Sequence, residues 1–166
     1  MSNTQSMCTS FLGELMVGQH QFGTATLVSR TSLTAPTTDT FKAALYFASA
    51  TVNASTTAYS VTGEVTNTSG SGYTAGGVTV TNATAPVATN SSTTAGVGYW
   101  TPSASFSWSA LTVTTAFDAL LLYNSTQSNK AVSVHTFGSQ TITAGTFTLT
   151  MPTNNTTSAL LRLSTT

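Results

Sequence analysis

The sequence predicts an all-β fold, an antiparallel β-sandwich or jelly-roll-like domain with one short N-terminal helix. Three observations predict it. Short apolar runs with period-two alternation recur along the chain, about eight of them at roughly 8–15-residue spacing, divided by Gly, Pro, Asn and Ser clusters. Threonine, at once β-branched and polar, fills those runs and suits a pleated surface facing water. Only residues 5–17 carry helical periodicity instead. At 166 residues the chain fits one domain with a real core. The expected division is an N-terminal arm with the short helix over residues 1–22 and a single β-sandwich domain over residues 23–166.

The helix comes first. Phe11, Leu12, Leu15 and Met16 recur at i, i+1, i+4 and i+5, one apolar stripe, and Gly18 is placed to end it. A helix this short is not stable alone. Its stripe therefore docks either on the chain's own sheet or on a neighbouring subunit, which makes these four residues interface candidates. A short strand is expected around residues 24–28, and Pro36 opens a turn. Residues 40–49, TFKAALYFAS, are apolar on both faces and read as a central strand; helix is the competing reading because of the alanines.

The chain is organised around residues 63–80, GEVTNTSGSGYTAGGVTV. The pattern is strand, glycine-rich turn, the aromatic anchor Tyr73, a second turn at Gly76-Gly77, then strand. Glycine is used where φ must be positive or backbones pass closely. The two arms are expected as strands over residues 59–66 and 73–82. Residues 85–98 read as a long surface loop or a hairpin. In residues 97–110, Phe106, Trp108 and Ala110 alternate as an inward face, and Pro102 marks a kink or an edge. Residues 117–123, FDALLLY, form another strand apolar on both faces. A turn follows at residues 124–129, then strands over residues 130–137, ended by Gly138, and 141–151. After a turn at Pro152 and Asn154, residues 160–163 make the last short strand.

Charged residues are 5% of the chain, against roughly 25% in average proteins. Arg30, Lys42, Lys130 and Arg162 balance Glu14, Asp39, Glu64 and Asp118 to a net charge of zero. Four scattered cations neither steer toward nucleic acid nor neutralise many phosphates, so a nucleic-acid partner is not expected. Near-zero charge favours association. The longest apolar run, residues 43–48, is far below the ~18–20 residues of a membrane-spanning helix, and no membrane partner is expected. No cation precedes an apolar core at the N-terminus, so no signal peptide is expected. Cys8 is the single cysteine, which excludes an intrachain disulfide.

No catalytic constellation is visible. His20 and His135 stand apart in sequence, Glu64 and Asp118 have no glycosidase-like spacing, and no Cys/His/Asp/Glu cluster suggests a metal. The Gly70-Ser71-Gly72 and Gly76-Gly77 pairs lack the Lys-Ser/Thr and the helix of a phosphate loop. The expectation is a non-enzymatic protein with no catalytic residue, cofactor or metal. Tyr99 and Trp100, beside Pro102, are the remaining functional candidates, as interface anchors or a stacking platform for sugar.

Several segments together are similar to known proteins: TDTFKAALY at residues 38–46, VTGEVTNTSGSGYTAGGVTV at 61–80, FSWSA at 106–110, ALLLY at 119–123, and NKAVSVHTFG at 129–138. This order resembles a family of small tailed-bacteriophage structural proteins over residues 38–163. The sequence departs from that pattern with extra residues 23–36, which contain Leu27 and Leu33, and with a Thr/Asn/Ser-rich loop between Val80 and Tyr99. Both are candidate partner contacts. The resemblance implies a virion component made in the bacterial host cytoplasm. With the composition, it points to a capsid decoration or cement protein on the outer surface of the phage head. Its implied partners are the major capsid protein and itself, as a homotrimer. The alternative is a tail, baseplate or fibre-associated module partnered by tail proteins or a host glycan.

Overall fold

The computed structural model describes residues 3–16, 18–20, 22–23, 38–65, 71–81, 85–89 and 96–164. In chain order the elements are β1 (Ser6–Met7), α1 (Thr9–Met16), β2 (Phe41–Phe47), β3 (Val78–Thr79), β4 (Val87–Ala88), β5 (Val97–Trp100), β6 (Phe106–Asn124), β7 (Lys130–Leu149) and β8 (Leu161–Ser164). Two antiparallel sheets result, one ordered β1-β7-β6-β2-β3 and one ordered β4-β5-β8. The fold is all-β and sandwich-like, with one small helix among the described residues, as the alternation requires. The strand expected at residues 24–28 lies outside the described residues.

The dual apolarity of β2 has a structural cause. β2 pairs with β6 on one side and with β3 on the other, so it sits inside the sheet. Directly opposed residues share a face. Ala43 and Leu45 therefore lie on the same face as Leu120 and Leu122, which continues to Ser133 and His135 on β7. Phe41, at the start of β2, meets the small sheet there, stacking on Phe22 at 4.3 Å with Trp100 of β5 beside both rings. The other face carries Ala44, Tyr46, Leu121 and Tyr123, covered by the irregular segments around residues 59–65 and 73–77. With both faces covered, β2 is apolar on both sides except at Lys42, near its start, which is only partly buried. The helix alternative for this segment loses because its backbone groups are already taken by two neighbouring strands.

The helix is shorter than its periodicity suggests. Residues 5–17 were expected to be helical, but Ser6 and Met7 instead add a short strand to β7, opposite Val134 and Ser133. Gly18 does end α1, at φ +72°, with its N–H donating to the Leu15 carbonyl. β1, Cys8 and Phe11 belong to the same sheet and core as the rest of the chain.

The largest departure is in the second half. The breaks expected near residues 110–116 and at Gly138 are bulges within two continuous strands, β6 of 19 residues and β7 of 20. Register shifts accumulate along their ladder, and Ala110 and Ala144 take φ values of 52° and 49° at these irregularities. Ala110 is consequently turned outward, while Phe106 and Trp108 are buried as the alternation predicts. Residues 85–98 contain the hairpin alternative, β4 pairing with β5.

Candidate functional site

The stretch around Tyr73 is built as a polar plug against β2, and not as two strand arms. Its first arm makes only an isolated bridge, Tyr46 to Glu64, and its second is strand only at β3. β3 stops opposite Ala43, so the next backbone groups of β2 need other partners. Leu45 N–H donates to the Tyr73 hydroxyl at 3.0 Å, Val65 N–H donates to the Leu45 carbonyl, and Phe47 N–H donates to the Gly63 carbonyl. Glu64, 3% exposed, then accepts from Tyr73 Oη at 2.7 Å, Tyr59 Oη at 2.6 Å and Gly76 N–H at 2.7 Å. Tyr123 Oη closes the circuit by donating to the Gly76 carbonyl at 2.8 Å. Burial, reinforced by the Glu64 charge, pushes the Tyr123 hydroxyl up to about 12, and raises Tyr73 and Tyr59 further by the same causes. These phenols are fixed donors, not acid–base groups.

The glycines of this stretch are steric requirements. Gly77 has φ +70°, and a Cβ there would collide with the Ala43 carbonyl. Gly72, at φ +69°, lies equally tight on the Ala110 carbonyl. Glu64, Tyr73, Gly76 and Gly77, which carry part of the family-like pattern, are thus consumed in holding β2.

A second polar cluster moors the helix. Glu14 accepts from Lys130 Nζ at 2.7 Å and faces His20 Nε2 at 2.7 Å. Asn124 Nδ2 lies 3.1 Å from His20 Nδ1 and donates to Asp39 Oδ2 at 2.6 Å. Because the amide is the donor, Nδ1 accepts and Nε2 carries the hydrogen toward Glu14. Burial works against the Glu14 carboxylate, but the hydrogen bonds from Lys130 and His20, with the Lys130 charge, outweigh it and hold Glu14 below its ordinary range. The cluster ties α1 to the turn between β6 and β7.

His135 and Ser133 share a face of β7, with Ser133 Oγ 2.9 Å from His135 Nε2, on a cavity of about 470 Å³ beside β8. Burial lowers His135 to about 4, which makes it a weak base. No carboxylate orients the ring among the described residues, so a nucleophile–base–orienter arrangement lacks its orienting part among them. Among the described residues no three His, Cys, Asp or Glu side chains come together as a metal site.

The feature that does gather sequence-predicted residues is an apolar groove between α1 and the small sheet. Phe11, Leu15, Tyr99 and Trp100 all line it, joined by Met7, Phe22, Val87, Leu161 and Leu163, around about 230 Å³. Phe11 (2% exposed) and Trp100 (3%) form its floor and pack within the chain's own core. That placement corrects the expectation that Trp100 is a free stacking surface, since its ring is spent on Phe22 and Phe41. Leu15 and Tyr99 are half-buried walls. The rim is Val87 and Leu163, each 44% exposed, two of the three large exposed apolar side chains among the described residues. Leu12 and Met16 lie on α1, and Leu27 and Leu33 fall outside the described residues. Sequence reasoning missed Val87 and Leu163. Their signal was weak, a lone valine in a Thr-rich loop and a terminal Leu-Arg-Leu alternation.

No family model, curated protein or solved structure matches the chain. No helix among the described residues is long and apolar enough to cross a membrane.

Proposed function

We propose that this chain is a non-enzymatic structural protein of a tailed-phage virion, a decoration or cement protein that bridges neighbouring major capsid protein subunits on the outer surface of the head. The observation that carries the reading is the groove rimmed by Val87 and Leu163, an apolar seat on a surface that otherwise has almost no charge. Apolar patches rimmed by polar residues mark protein contacts. The similarity of residues 38–163 to small phage structural proteins supplies the kind of partner.

The mechanism is mechanical. Each copy buries apolar area against the shell, at roughly 25 cal/mol per Å², with little electrostatic steering. Copies held in a symmetric cluster, a homotrimer in this reading, add by avidity, so modest individual contacts resist outward pressure from packaged DNA. The stable buried frame of β2, β6 and β7 suits a load-bearing part, and Cys8 stays reduced in the bacterial cytoplasm where the protein is made.

The test is to add purified protein to shells that lack it. Saturating, stoichiometric binding and a higher shell rupture temperature are expected, and Leu163→Asp should weaken binding at least about tenfold while leaving the fold intact. Absence of binding would sink the proposal. The tail-module alternative keeps Tyr99 as a sugar contact but loses Trp100 to the core, so it has half of the platform it required. A small copy number confined to the tail, seen by imaging the virion, would favour it instead.

A further inference from the structure

We propose that the free edge of β7 beyond its bulges is a self-pairing surface, on which a second copy of this chain adds an antiparallel strand about a two-fold axis at Thr148. β7 has β1 on its outer side only opposite Val134 and Ser133. From residue 137 to residue 149 its one strand neighbour among the described residues is β6. The outer edge of β6 at the same level is treated differently. There Thr112 N–H donates to the Ser71 carbonyl at 2.7 Å, and Gly72 presses against the Ala110 carbonyl. Among the described residues the chain covers one edge of this ribbon and leaves the other without a strand partner.

Bare edges are normally protected by lysine, proline, shortness or a bulge. Residues 137–151 contain no charge and no proline. β7 carries extra residues at two places, between Thr136 and Gln140 and between Ile142 and Gly145, where the register steps from Ala119 to Phe117 and from Val113 to Leu111. Beyond the second, the run from Gly145 to Met151 has no further residue inserted on β7, the strand itself ends at Leu149, and Pro152, which has no N–H to donate, closes the run. Within that run Thr146, Thr148 and Thr150 are exposed, while Phe147 and Leu149 turn toward the core side.

The run is complementary to itself, which is why the occupant is a second copy. An antiparallel pair centred on Thr148 sets Thr146 opposite Thr150, Phe147 opposite Leu149 and Thr148 opposite its own equivalent. Because the centre is a residue, each face continues its own kind, hydroxyl beside hydroxyl and apolar beside apolar. A two-fold pair of this kind is isologous and closes on itself. With no charge on the run, self-pairing meets no repulsion, and a charged partner strand gains nothing from it. The contact is separate from the three-fold cluster proposed on the shell, uses a different surface from the groove, and is measured on the free chain without shells.

Charge complementation tests it, using the full chain and sedimentation equilibrium. Thr146 and Thr150 are exposed and make no side-chain hydrogen bond among the described residues, so both can be replaced without disturbing the monomer. The wild-type chain should dimerise in a concentration-dependent way, with protection of amides within residues 145–151 in hydrogen exchange that fades on dilution. T146K/T150K and T146E/T150E should each weaken the dimer at least about tenfold, since like charges then oppose each other twice per pair. Mixing the two variants should restore it as a heterodimer. A circular dichroism spectrum matching wild type separates this from unfolding. A chain monomeric at roughly millimolar concentration overturns the proposal. So does a dimer indifferent to the charges, or one whose protection lies elsewhere.

Discussion

Replacing Glu64 tests whether the polar plug, and not local strand propensity, holds the middle of this protein together. Glu64→Ala removes the acceptor for Tyr73 Oη, Tyr59 Oη and Gly76 N–H at once. Tyr59 is half-buried and regains water. Tyr73 and the Gly76 amide are enclosed, and each stranded donor costs about 1–3 kcal/mol, to which the missing side-chain volume adds. The expected loss is about 3–5 kcal/mol. Glu64→Gln keeps one oxygen, which can face both Tyr73 and Gly76, while the Tyr59 hydroxyl turns to accept from the new amide; the expected loss is about 1–2 kcal/mol. Equilibrium urea unfolding followed by the fluorescence of buried Trp100 and Trp108 reads both. With a slope of about 1–3 kcal/mol per M, the alanine variant should shift its midpoint by roughly 2 M. A loss below about 1 kcal/mol for Glu64→Ala, or equal losses for the two variants, would refute the assignment of these bonds as the lock on β2.

Three further outcomes are expected. Gly77→Ala should cost about 3 kcal/mol or more because its Cβ meets the Ala43 carbonyl, whereas Gly18→Ala, at a similar φ but with no neighbour within 4 Å, should cost only about 1 kcal/mol; paired urea titrations give the contrast. Burial holds His135 near 4 against 6.5 when unfolded, so the unfolded chain binds the extra proton first. Stability should therefore fall as pH drops from 6.5 toward 4, by roughly 2 kcal/mol from this residue, and His135→Gln should flatten that part of the profile. Burial, then the Glu14 charge, pushes the Cys8 thiol up to about 11, and the side chain is enclosed. Alkylation at pH 8 should run at least about 100-fold slower than for a free thiol and recover in urea; fast labelling of the native protein would contradict the burial of Cys8.

Much of the candidate site could be read from the chain because amphipathic spacing is local. Phe11, Leu15, Tyr99 and Trp100 were marked by stripe and aromatic content, and the fold gathers them in one groove. Which of them faces outward was not readable. Trp100 is buried because Phe22 and Phe41, distant in sequence, arrive against it, while Val87 and Leu163 remain exposed at the edges of a small sheet.

By itself the sequence determined the fold class, the stop of α1 at Gly18 and the near absence of charge. Each follows from residue type and short-range period, which side-chain geometry enforces along one segment. Only the tertiary structure decided that residues 106–124 and 130–149 run as two unbroken strands, because a bulge and a chain break look alike in sequence and differ only in whether a partner strand continues beside them. Only it decided that the Gly- and Tyr-rich stretch is a hydrogen-bonded plug. The partners that replace a strand ladder there, Glu64, Tyr73 and the Gly76 amide, meet on β2 through long-range closure that local pattern does not encode.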